Sequence, residues 1–170
     1  GYCHAYNLSR QAVPRLQPDY PFQIDQPILK SDSPEHDLRL VDIDHRLKEL
    51  TQVGSVYTEN ALASCSELQE IPELLPFYRL RSDRVLVLER QAEISYVALE
   101  YEQTTKSRAR YKKKMREYQH SRGVDAVLFV CPDRRFERSL MAISTEAGVR
   151  ASANFYFCDL ESLHGPSEGL

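Results

Sequence analysis

The sequence predicts an α/β fold around a mixed central sheet. Three observations carry that expectation. Short apolar runs of strand length alternate with stretches whose apolar residues recur at helical spacing. Prolines and cap residues fall between them as punctuation. At 170 residues the chain fits one compact domain that buries a core without disulfides or structural metals.

The elements follow in order. Residues 12–34 carry Pro14, Pro18, Pro21, Pro27 and Pro34 among polar side chains, so 1–33 reads as an extended arm or linker. Ser33 can cap a helix with Pro34 at its first position, and Leu40, Ile43, Leu47 and Leu50 then recur at helical spacing, giving a helix over 34–52. Thr58 is a good N-cap for a second helix through Ala61, Leu62 and Cys65, with Glu59 in its first turn; Pro72 and Pro76 end that region. Apolar runs at 85–88 and 94–102, separated by the polar residues 89–93, predict a β-hairpin. A helix over 107–120 places Tyr111, Met115 and Tyr118 on one face, and Gly123 closes it. The continuous apolar run 124–131 predicts a buried central strand ended by Pro132. A helix over 133–147, a strand over 154–160 and a flexible tail over 164–170 complete the order.

Composition is that of an ordinary globular chain, with 42% hydrophobic and 28% charged residues. No apolar run approaches the roughly 20 residues of a membrane span. Cys3, Cys65, Cys131 and Cys158 form no CxxC pair, and two lie in strand-like apolar runs, which points to a reducing, cytoplasmic compartment. The N-terminal residues lack the basic and apolar regions of a secretory signal. Gly1 rather than Met opens the chain, as expected of a trimmed product or an excised piece of a longer protein.

Net charge is only -3, but its distribution is uneven. From Lys106 to Arg116 seven of eleven residues are basic, and no acid interrupts them. Such a run is either a solvated helix face or a surface for phosphates, through Arg108, Arg110, Lys112, Lys113 and Arg116.

The chemistry-bearing segment lies just before that run. In Ala98-Leu99-Glu100-Tyr101-Glu102-Gln103-Thr104-Thr105-Lys106-Ser107 two carboxylates sit two apart at the end of an apolar strand. Alternate strand side chains share a face, so Ala98, Glu100 and Glu102 point one way and Val97, Leu99 and Tyr101 the other. An acid pair held in a sheet needs water, a base or a cation, and a divalent ion is the economical choice. Asp83 opens the preceding strand and Glu59 stands upstream on a helix. For each acid the structural alternatives are a salt bridge, a turn residue or a helix-dipole partner.

An acid opening a strand, an acid ending the next strand of a hairpin, and a helix after them resemble the PD-(D/E)XK, restriction-endonuclease-like, nuclease fold. The resemblance implies a mixed central sheet flanked by helices over 34–163. It also implies that Asp83, Glu100 and Glu59 bind one or two divalent ions, Mg or Mn, which activate water and stabilise the pentacovalent phosphate. A lysine is usual two residues after the second acid. Here that position is Glu102, and Lys106 is available further on.

A closer resemblance is to MOB-C type conjugative relaxases and replication-relaxation proteins of mobile elements. His36-Asp37-Leu38 resembles the family's His-acid-Leu motif, and Thr58-Glu59-Asn60-Ala61-Leu62 its Thr-Glu-Asn helix opening. Ser82-Asp83 stands for its Pro-Asp, and Ala98 to Thr104 with Lys106-Ser107 and Arg110-Tyr111 for its ALExExT, KS and RY run; Val127 to Cys131 stands for the following strand. What the resemblance implies is nicking of one DNA strand at a plasmid transfer origin, or a step in plasmid replication. Asp83, Glu100, Glu102 and Lys106 are then the catalytic set, with a coupling protein and other relaxosome proteins as partners. The family's N-terminal winged helix would precede residue 33 and be missing here.

Two alternatives stay open: a non-catalytic DNA-binding or scaffold module of a relaxosome or replication complex, which the absent lysine favours, and a restriction- or repair-type nuclease of the same fold. His36 is either a base or ligand or a structural early-helix histidine. Tyr111 and Tyr118 sit on the apolar helical stripe and are expected in the core, leaving water or hydroxide as the nucleophile.

Overall fold

The computed structural model describes residues 33–91, 93–149 and 154–163. The arm expected before residue 33 and the tail expected over 164–170 lie outside the described residues.

Seven helices and five strands alternate among the described residues: α1 (Pro34–Lys48), β1 (Val53–Thr58), α2 (Glu59–Ser64), α3 (Ser66–Gln69), α4 (Leu75–Leu80), β2 (Arg84–Arg90), β3 (Glu93–Tyr101), α5 (Arg108–His120), β4 (Ala126–Cys131), α6 (Arg134–Glu146), β5 (Phe155–Asp159) and α7 (Leu160–Leu163). The strands form one sheet in the order β1-β2-β3-β4-β5. Pairing is antiparallel from β1 to β3 and parallel from β3 to β5. The expected α/β architecture with a mixed sheet flanked by helices is the architecture of this chain.

The period of two along the strands sorts side chains into two cores, one on each face. On one face Val85, Ala98, Val127, Phe129 and Cys131 pack against α2 to α6 through Leu62, Phe77, Tyr111, Met115, Tyr118, Leu140 and Ile143. On the other, Leu86, Val97, Leu99, Tyr101 and Val130 meet Leu40, Ile43 and Leu47 of α1. Arg84 fixes α1 to the sheet, its Nε lying 2.8 Å and 2.9 Å from the two carboxylate oxygens of Asp44.

The caps behave largely as their chemistry dictates. Thr58 Oγ1 accepts the Ala61 N–H at 3.0 Å, and Asp133 accepts that of Phe136 at 2.8 Å. Gly123 closes the turn after α5 at φ 89, in the left-handed region where a side chain is strained. Ser33 makes no side-chain cap bond, so α1 begins on the fixed φ of Pro34 instead.

Four elements differ from the sequence expectation, the first being α1, which ends at Lys48 rather than at residue 52. Strand β1 was not foreseen, because Gly54 and Ser55 break its alternation and it is a partly exposed edge. Helix α4 forms where Pro76 reads as a terminator, since proline is tolerated in a first turn. The run of β5 ends at Asp159, whose carboxylate takes the Ser162 N–H at 2.6 Å and starts α7.

Candidate functional site

The register of the sheet assembles the acids. Arg84 pairs with Leu99 and Thr58 with Arg84, so one step further Glu59, Asp83 and Glu100 fall in a row across the end of three strands. The Glu59 N–H donates to the Asp83 carbonyl at 3.1 Å, continuing the ladder past β1. Asp83 then turns its carboxylate toward β3, where Oδ2 accepts the Tyr101 N–H at 2.8 Å.

Each acid of the row has a different partner. Glu100 is buried at 4% exposure and points, like Ala98, toward α5. Its Oε1 lies 3.2 Å from Lys114 Nζ and accepts a hydrogen bond from the Tyr118 hydroxyl. Burial, and then the charge of Asp83, push the Glu100 carboxyl up to about 8, against the pull of Lys114 and Tyr118. Asp83 has His36 beside it, with Nε2 at 3.6 Å from Oδ2 and 3.1 Å from the Tyr101 carbonyl. The Asp83 hydrogen bond is the main reason that the imidazole is raised to about 9 and stays cationic at neutral pH. Glu59 forms an exposed ion pair with Arg81, at 2.9 Å.

Glu102 belongs to a separate arrangement. It lies just beyond β3, anchored by its N–H to the Val130 carbonyl at 2.9 Å. Its buried carboxylate lies 2.8 Å from Lys106 Nζ and accepts the Tyr111 hydroxyl at 3.2 Å, while the Lys106 N–H donates to that same hydroxyl at 3.1 Å. Glu102 and Lys106 thus hold the loop between β3 and α5 rather than the row of acids.

Lys114 was missed as a site residue, since within a run of seven basic residues nothing in the sequence separates it from its neighbours. Helical phase supplies the signal in retrospect: Lys114 lies one turn before Tyr118, whose hydroxyl reaches Glu100. Tyr111 and Tyr118 are core residues as expected, each 2% exposed, yet their hydroxyls are used by the two buried acids. Burial raises both phenols far above their ordinary value, which disfavours either as a nucleophile.

The basic run splits by face. Arg110, Lys114 and Lys106 line a cleft of about 850 Å³ with Asp83, Glu100, Arg79, Arg81 and Arg122. Arg108 and Lys112 instead pair with Glu146 of α6, Lys113 with Glu117, and Arg116 donates to the Ala147 carbonyl. Of the five phosphate-binding candidates, only Arg110 joins the acids.

Comparison with known proteins finds no protein family, curated protein or solved structure that matches the chain.

Among the described residues no three His, Cys, Asp or Glu side chains gather as ligands of one ion, so a divalent ion here would rest on the carboxylates of Asp83 and Glu100. Mg characteristically takes one or two carboxylates and completes its shell with water and substrate phosphate. Asp83 and Glu100 offer two carboxyl groups, and burial first, then the charge of Asp83, raise the Glu100 carboxyl in spite of Lys114. A cation between them would replace a proton on Glu100.

Proposed function

We propose that this chain is a restriction-endonuclease-like nuclease domain that cleaves one DNA strand with Mg or Mn. The observation that carries the proposal is the Asp83 and Glu100 pair at the end of β2 and β3, with Lys114 Nζ 3.2 Å from Glu100 in a basic cleft. Asp83 and Glu100 would hold the ion, which supplies charge neutralisation and an activated water at the phosphate. Lys114 stands where an ammonium can meet the charge that develops on a phosphoryl oxygen. Tyr118 fixes Glu100, and His36 fixes Asp83 against the Tyr101 carbonyl. Arg79, Arg110 and Arg122 rim the cleft and can hold the flanking phosphates.

The order of elements supports the same reading: an acid-opened hairpin, a helix and a parallel strand. The motif resemblance to conjugative relaxases and replication-relaxation proteins points to nicking at a plasmid transfer origin or in plasmid replication, with coupling and relaxosome proteins as partners. Against catalysis, Glu100 and Glu102 each already have a lysine and a tyrosine, which favours a non-catalytic DNA-binding or scaffold module as the second reading.

The test is nicking of supercoiled plasmid with Mg or Mn. Cleavage by the chain and its loss in both Asp83→Ala and Glu100→Ala is the expected result. Cleavage that survives both substitutions would remove the site. DNA binding with no cleavage, by the chain and by its full-length protein, would favour the scaffold. Equal nicking of plasmids with and without a transfer origin would favour a restriction- or repair-type nuclease.

A further inference from the structure

A second cleft, of about 650 Å³, opens on the other side of Asp83 between α1, α2 and α4. It shares Glu59, Arg79, Arg81 and Asp83 with the basic cleft, so the two are continuous across the acids. Their chemistry differs. The basic cleft sets six lysines and arginines against four acids, whereas the second sets Arg79, Arg81, Arg84 and the cationic His36 against Asp37, Glu59 and Asp83. Three of those four cations are paired, Arg81 with Glu59, Arg84 with Asp44 and His36 with Asp83. A phosphate gains little there.

An uncharged planar group gains more. Tyr78 is 38% exposed and lines the cleft together with the apolar Leu40, Leu62 and Phe77, and Asn60 adds an amide. An exposed aromatic side chain, apolar neighbours and an amide are what a nucleobase needs, and the volume lies in the range of small-ligand pockets.

We propose that the His36–Asn60–Tyr78 cleft is a nucleobase subsite. It takes one base of the DNA strand whose phosphates lie in the basic cleft, with Tyr78 as stacking platform and Asn60 reading the base edge. The inference rests on the nuclease reading for its ligand, and it gives the domain a base contact of its own, independent of any separate DNA-reading domain.

The experiment measures binding of fluorescein-labelled single-stranded 12-mers to the full chain by anisotropy, with cleavage blocked by EDTA. Normal strands are compared with strands carrying abasic sites throughout. Stacking leads us to expect the normal strand to bind about tenfold tighter. Tyr78→Ala should lose that preference by weakening only the normal strand, Tyr78→Phe should retain it, and Arg110→Ala should weaken both strands alike. Tyr78 is exposed on a short helix, so its replacement leaves the core intact. Equal binding of normal and abasic strands, or equal weakening of both by Tyr78→Ala, would overturn the subsite. If plasmid nicking persists in that case, the nuclease reading stands; if neither strand binds and no plasmid is nicked, both fall.

Discussion

Glu100→Gln should make the protein more stable at alkaline pH while abolishing cleavage. The carboxyl is raised from 4.5 to about 8 by burial and by Asp83. Between those values the folded chain keeps a proton that the unfolded chain has released, so stability falls as pH rises through the window, by about 1.4 kcal/mol per pH unit. The full loss at and above pH 8 is about 5 kcal/mol. Glutamine keeps the size and an acceptor for Tyr118 but has no proton to lose. Lys114 keeps the Leu80 carbonyl at 3.0 Å, and at pH 5 it faces an uncharged partner in both chains. The variant should therefore be about as stable as the parent at pH 5 and more stable by about 5 kcal/mol at pH 8.5. Urea unfolding of both chains in EDTA from pH 5 to 9 measures this, and other titrating groups cancel in the difference. At this chain length the melting temperature should rise by about 10 °C at pH 8.5. Parallel profiles, with a difference that does not change with pH, would refute the account of Glu100 as a frustrated acid.

Four further outcomes follow from the same geometry. Millimolar Mn should raise the melting temperature of the parent chain and leave Asp83→Asn and Glu100→Gln unmoved, because only a ligand of the folded state stabilises it. Lys114→Met should lower nicking by about a hundredfold with little loss of stability, whereas Lys106→Met should cost about 2 kcal/mol in urea unfolding, by leaving Glu102 buried without its cation. Arg110→Ala should lower the salt dependence of DNA binding by about one counterion, and Lys112→Ala, whose lysine pairs with Glu146, should not. The His36 contribution is fully present below pH 6.5 and is lost as pH rises through about 9; His36→Gln should thus cost about 2 kcal/mol at pH 6 and much less at pH 9.5, by the same unfolding measurement.

Much of this fold was legible because periodicity and caps agreed. The hairpin, the helix after it and the parallel strand β4 were each marked by apolar runs or a capping side chain. Strand β1 was not, since an edge strand with one glycine carries almost no alternation. The site was legible in its acids and illegible in its cations. Asp83 and Glu100 stand out because acids at strand ends are costly, but a lysine in a basic run is ordinary, and only the packing of α5 on β3 selects Lys114 over Lys112 or Lys113. Glu59 shows the opposite limit: sequence places it near the other acids, and the sheet does so too, yet Arg81 takes its carboxylate.

The two buried glutamates end as a controlled comparison within one chain. Both lie at the end of β3, both accept a tyrosine hydroxyl from α5, and both have a lysine ammonium within 3.2 Å. Glu100 is nonetheless held near 8, first by burial and then by the charge of Asp83, which the hairpin register sets beside it. One acid is a satisfied clamp on the loop that leads into α5. The other keeps a proton at neutral pH in spite of its lysine, and a divalent ion between it and Asp83 would take that proton's place. Glu102 thus holds the loop, and the ammonium beside Asp83 and Glu100 comes from Lys114.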